Sequence, residues 1–346
     1  MKQLKNPRFL LALIFLMLAL AIFLRAYKLD ASELEMAEIN FLSPAVLGDF
    51  EEIAVSRYKV TEGVKFVDFP SLPYPYLFSY IWIGYFGAME IGARLASVIL
   101  GIVSILMFYV LLRELFNKRS TLIIALALFA FNPNLVSISR QGRMYSLFIF
   151  SALFSYFLFV KVFIKNKRGL GILYVIGTLA MLGTHYFGFL LFFCQGITIL
   201  FLRKKAISQF IRHFFWVSLG LIPWGITAII PKLAHFEGLK SSLNWLPKLS
   251  FSRLLEFWAM FFSSQKGLGG LAVIVFVLGT PLLSWTNLVI LGLPIVVFFG
   301  ATCILGLLPF GLSLANFDYF IVLIPFVLQL LPICFPNLNC WGGFFV

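Results

Sequence analysis

The chain has 346 residues, 61% of them hydrophobic and 12% charged, with a mean hydropathy of +1.00, values at which a soluble globular domain aggregates. A net charge of +13 does not mark a nucleic-acid binder here, because Lys and Arg come in short clusters between apolar runs instead of on one polar face. Cys194, Cys303, Cys334 and Cys340 lack metal-ligand spacing, and the first two lie within apolar runs where a buried thiol is the simpler reading.

In chain order, Phe9 to Leu24 follows a basic flank (Lys2, Lys5, Arg8) and is longer than the roughly 7 to 15 residues of a signal-peptide core. No small-residue cleavage site follows, so the run predicts an uncleaved first helix with its N-terminus in the cytoplasm. Next comes a polar island, Tyr27 to Tyr76, holding nine of the 14 Asp and Glu: Asp30, Glu33, Glu35, Glu38, Asp49, Glu51, Glu52, Glu62 and Asp68. A short helix is expected over Ser32 to Leu47, with Glu35 and Glu38 on one face. The apolar piece Tyr76 to Phe86 is short for a crossing, which needs about 20 residues, and suits an interfacial or re-entrant helix.

Spans are expected over Leu95 to Leu112, Thr121 to Phe131, Leu170 to Leu182, Phe214 to Ile230, Leu268 to Leu283, Leu288 to Leu308 and Phe320 to Leu331, in a bundle of about ten crossings. Basic clusters at the N-terminus, at Arg113, Lys118 and Arg119, at Lys161, Lys165, Lys167 and Arg168, and at Arg203, Lys204, Lys205 and Arg212 place those turns in the cytoplasm. The turns near Asn132 to Arg143 and Thr184 to Phe187 then lie outside with the acidic island. The expected organisation is one all-α, polytopic membrane domain over 1–346: a first helix at 9–25, an outer loop with interfacial helices at 26–92, helices at 93–231, a second outer loop at 232–258 and C-terminal helices at 259–346. Pro332 to Val346 reads as a stub with no soluble domain after it.

Three polar groups converge outside: the Glu33, Glu35 and Glu38 segment; Ser139 to Tyr145 with Arg140 and Arg143; and His185 where two helices meet. Guanidiniums at a membrane boundary beside a carboxylate-rich loop suit holding a lipid-linked phosphate while a carboxylate takes an acceptor's hydroxyl proton. Each residue also has a structural reading, Arg140 and Arg143 as snorkelling cations at a helix end, His185 as a cap, and Glu51, Glu52 and Glu62 as solvated loop acids. Their gathering on one side, under a topology drawn from other residues, favours the functional one.

At these segments the chain resembles the membrane-embedded GT-C glycosyltransferases, in the protein mannosyltransferase and aminoarabinose transferase branch. The resemblance rests on Ser32-Glu33-Leu34-Glu35-Met36-Ala37-Glu38-Ile39 with Gly48-Asp49, on Phe86 to Leu95 and Arg113 to Phe116, on Ser139 to Tyr145, and on Thr184-His185-Tyr186-Phe187. A weaker echo occurs at Asn244 to Pro247 and near Asp318 to Pro325. Departures accompany it: Ser32, or Ala37 on an alternative alignment that puts the pair at Ala37-Glu38, stands where the family has its presumed catalytic Asp, Gln141 where it has Glu, Ser71-Leu72-Pro73 where it has His-Pro-Pro, and Asp318 where it often has Arg.

The resemblance implies a GT-C-like bundle with a large first outer loop and a polyprenyl-phosphate sugar as donor, in the plasma membrane. An acceptor hydroxyl, on a glycan, lipid or protein, attacks the anomeric carbon opposite the departing phosphate, with inversion. Glu33 is the first choice for the general base, with Glu38 or Asp30 in reserve. Arg140 and Arg143, with Lys65, Arg94 and Tyr145, are the candidates for holding donor phosphate, and His185 for orienting the donor. No nucleotide-binding Gly-rich loop is visible. No cofactor is assigned, and assistance by a divalent metal is left open. Two other classes stay open: a catalytically impaired relative serving as a binding or assembly partner, and a transporter of lipid-linked glycans, which needs charges inside the helices facing a cavity.

Overall fold

In hydrocarbon every backbone amide must find its partner within its own segment, so a chain this apolar folds into helices. The computed structural model describes residues 7–54, 58–61, 64–66, 73–87, 90–226 and 284–307. The expected outer loop at 232–258, the runs at 268–283 and 320–331 and the C-terminal stub lie outside these. Helix α1 (Pro7–Ala26) leads to the acidic loop, then α2 (Met36–Leu47), α3 (Phe50–Ala54) and a hairpin of β1 (Tyr58–Thr61) and β2 (Val64–Phe66), antiparallel with Tyr58 opposite Phe66. Then follow α4 (Pro73–Phe86), α5 (Glu90–Leu115), α6 (Arg119–Ala130), α7 (Pro133–Ser139), α8 (Tyr145–Phe159), α9 (Gly171–Thr184), α10 (Phe187–Leu202), α11 (Ile207–Trp224) and α12 (Trp285–Leu307).

Among the described residues two helices are long and apolar enough to cross a membrane: α5, and α8 continued by a π-helical turn to Ile164. Helices α6 and α7 form a third such unit bent by 52°. Its break falls at Asn132-Pro133, because proline cannot donate and disfavours helical geometry in the residue before it. The Asn132 side chain restarts the chain as α7 by accepting from the amides of Asn134 (3.0 Å) and Leu135 (3.1 Å).

Helix α8 lies at the centre, packed on α5 and α9, with Phe148, Phe159 and Val160 fully enclosed. A polar network sets the register of α8, α9 and α10: Tyr174 Oη donates to Gln195 Oε1 (2.7 Å), Gln195 Nε2 donates to Ser155 Oγ (3.1 Å), and Ser155 meets Thr178 at 3.1 Å. Each group satisfied in this way avoids the cost of an unpaired polar atom in hydrocarbon.

The two ends of the bundle differ in charge. At one, Glu114 accepts from Lys161 Nζ (2.6 Å) and Lys165 Nζ (2.9 Å), joining the ends of α5 and α8. Asn287 Nδ2 donates to Leu115 O (3.1 Å), so α12 starts at this same end. The acidic loop occupies the other. Both ends of α4 lie there: Trp82 Nε1 donates to Gly92 O at the start of α5 (2.9 Å), and the Tyr74 ring sits directly on Gly183 at the end of α9, edge-to-face with Trp224 at 4.0 Å.

A Cβ at Gly183 would overlap the Tyr74 ring. Gly183→Ala is therefore expected to lower stability by about 1–3 kcal/mol through overpacking. Gly196 is the contrast, since its Cβ would meet Phe210 at 3.4 Å, an ordinary contact. Gly196→Ala should be neutral or gain up to about 1 kcal/mol of helix propensity. Thermal unfolding of the two variants in detergent measures the difference.

Candidate active site

The centre of the outer end is an ion pair. Glu38, in the first turn of α2, and Arg94, in the first turns of α5, are both buried and meet with two hydrogen bonds, Arg94 Nε to Oε1 (2.9 Å) and Nη2 to Oε2 (2.7 Å). Glu38 also accepts from the Gly142 amide (2.7 Å) and the Glu35 amide (2.9 Å), the latter as part of the capping box that starts α2. Helix α2 therefore begins at Met36, not at Ser32, because Glu35 is its extended N-cap residue. Arg94 spends its other N–H groups on the carbonyls of Leu29, Ser32 and Glu33, each at 2.9 Å. All five guanidinium donors are thus engaged. Burial acts to raise the Glu38 pKa, but Arg94 and the two amides outweigh it and hold the carboxyl below the usual carboxylate range.

Glu38, the expected reserve base, and Arg94, an expected phosphate ligand, neutralise each other here and pin the acidic loop to the junction before α8. Gly142 permits the close approach, since a Cβ there would lie 3.2 Å from Ala93 O. Sequence reasoning missed the pairing, although an arginine in a membrane helix signals that a partner is needed.

Arg140 is also occupied. Its guanidinium donates to the carbonyls of Leu24 (3.0 Å), Tyr27 (2.7 Å) and Lys28 (3.2 Å), closing the C-terminus of α1, where helix carbonyls lack intrahelical partners. Arg140, expected to hold phosphate, stands at this cap in the structure. Arg143, three residues on, is placed differently. Its carbonyl accepts from Ser97 Oγ (3.3 Å), its guanidinium lies over the Tyr145 ring (4.7 Å), and Nη2 donates to Tyr145 Oη (3.1 Å).

Arg143 lines a shallow, open groove between α2, α4, α5 and the start of α8. Phe41, Leu42, Phe78, Trp82 and Leu147 make it apolar, and Ser79 and Ser97 are its other polar walls. Asp30, Glu33 and Glu35 stand exposed in the loop held by Arg94; the Glu33 backbone is fixed while its carboxylate faces solvent.

His185 is buried between Phe148 and Phe187, stacked on each, and its Nδ1 accepts from the Phe187 amide (3.2 Å) at the start of α10. Burial, aided by nearby Arg143, pushes its pKa down to about 3, so the ring is neutral with its proton on Nε2. It does not line the groove. Lys65 falls in β2, and its side chain is outside those described. Among the described residues no three His, Cys, Asp or Glu side chains gather to hold a metal ion.

Residues 73–233 match the family described as dolichyl-phosphate-mannose-protein mannosyltransferase. The match supports a membrane glycosyltransferase of the GT-C type. No curated protein matches the chain. The mannosyltransferase-family segment contains α4, the groove walls from α4, α5 and α8, and Arg94, Arg143 and His185. The acidic loop with Glu33 and Glu38 precedes it and is tied to it by the Glu38–Arg94 pair.

Proposed function

We propose that the chain moves a sugar from a polyprenyl-phosphate donor to an acceptor hydroxyl at the acidic end of the bundle. The observation that carries this is the apolar groove with the Arg143 guanidinium in its wall, next to a loop of exposed carboxylates. The prenyl chain packs along Phe78 and Trp82, and its phosphate meets Arg143 in a low-dielectric setting where a cation acts strongly. Glu33 takes the acceptor proton as the hydroxyl oxygen bonds to the anomeric carbon. The bond from that carbon to the phosphate oxygen breaks, the phosphate leaves with the electron pair, and the carbon inverts. The basic end, where the clusters around Glu114 and Lys204 lie, faces the cytoplasm, and the acidic end faces outward.

Transfer from radiolabelled polyprenyl-phosphate sugars in membranes tests this. Glu33→Gln is expected to lower the rate about 10²- to 10⁴-fold, and undiminished transfer in the variant would remove Glu33 as base. A second reading, a relative that binds without transferring, is favoured by Ser32, whose hydroxyl and carbonyl are both bound to Arg94 where the resemblance expects a free acid. Absence of transfer by the wild type with every donor supports that reading.

A further inference from the structure

The end of the bundle remote from the groove carries a second surface that the transfer reaction does not use. The start of α9 packs there against the first turns of α11: a Cβ at Gly171 would touch the His213 ring, and His213 stands 5.8 Å from the Tyr174 ring and 5.4 Å from that of Phe163, so the turns that lead into these two helices open on the same end. Lys167 and Arg168 on the first turn, Arg203, Lys204 and Lys205 on the second, and Arg212 on α11 are all exposed. Glu114 is the one acid at this end among the described residues, and Lys161 and Lys165 take both its oxygens.

The flanking helix faces are apolar and outward. Ile172 and Ile176 on α9 and Ile211, Phe214, Phe215 and Trp216 on α11 are each at least half exposed, the arrangement of surfaces that touch acyl chains. Cations on long aliphatic stems at the rim of such faces sit at headgroup depth.

We propose that this basic rim docks anionic phospholipid, its headgroup phosphate held by the two turns and its acyl chains lying on α9 and α11. The contact fixes the lower ends of α9, α10 and α11 and is independent of the groove.

The test titrates dioctanoyl phosphatidylglycerol and dioctanoyl phosphatidylcholine into the detergent-solubilised full chain, with bound lipid counted by native mass spectrometry. The wild type is expected to prefer the anionic lipid about tenfold or more, at roughly fivefold per engaged cation. The triple variant Arg203→Gln/Lys204→Gln/Lys205→Gln should lose that preference with phosphatidylcholine binding unchanged. Lys167→Gln/Arg168→Gln, confined to the other exposed turn, should weaken it separately, which keeps the test decisive if the triple variant unfolds. Equal binding of the two lipids by the wild type, a preference surviving in a folded variant, or displacement by equimolar inorganic phosphate, which marks a free-anion site, overturns the proposal.

Discussion

Glu38→Ala is expected to lower stability by about 3–5 kcal/mol, because it leaves the Arg94 guanidinium buried without its counter-charge. Arg94→Ala should cost a similar amount, stranding a carboxylate and freeing the carbonyls of Leu29, Ser32 and Glu33 that Arg94 now holds. The double variant Glu38→Met/Arg94→Met should recover only the part of the loss that comes from a stranded charge, since the carbonyls of Leu29, Ser32 and Glu33 and the amides of Glu35 and Gly142 stay without these partners. Transfer activity should not recover with it. The backbone of Glu33 loses its anchor in the double variant whatever the stability, so thermal unfolding in detergent and transfer rate are expected to part company. If both return together, the pair is structural and does not position the loop.

The same pair sets a pH dependence. The folded pKa of Glu38 lies below its ordinary value, so the unfolded chain binds more protons in that range and stability falls as pH drops. The contribution is whole above about pH 4.5 and is lost as pH falls through the lower folded value. Glu38→Gln should remove that part of the acid limb from a plot of thermal midpoint against pH.

Much of the scaffold is legible from hydropathy alone. The apolar runs Phe9 to Leu24, Leu95 to Leu112 and Leu170 to Leu182 each lie inside an observed helix, or within one residue of it, since a backbone in lipid has few alternatives. The stretch after Phe131 was legible only as a turn near Asn132 to Arg143. It holds a seven-residue helix that Pro133 starts and Asn132 caps. The site was legible as residue types but not as partners. Glu38 is 56 residues from Arg94 and 104 from Gly142, and no periodicity reports a contact across that distance. Arg140 and Arg143 read alike because the turn between α7 and α8 is not helical, so no helical phase could say which faces the groove and which caps α1.

Arg143→Ala is expected to lower kcat/KM for the polyprenyl-phosphate donor by about 10²- to 10³-fold, the usual consequence of removing a fixed charge from the point where negative charge develops. In the proposed reaction the departing phosphate gains charge as the sugar leaves, and the apolar walls at Phe41, Phe78 and Trp82 offer it no other cation than Arg143 among the groove residues. Contact with the Tyr145 ring and hydroxyl pre-orients the guanidinium, so less entropy is lost on engagement. Arg143→Lys should keep the charge but not the planar fork, and recover only part of the rate. Arg140→Ala gives the contrast: loss of the α1 cap should cost about 1–2 kcal/mol of stability while leaving kcat/KM within about tenfold of wild type. A reversal, with Arg140→Ala inactive and Arg143→Ala near wild type, would move the phosphate from the groove to the end of α1.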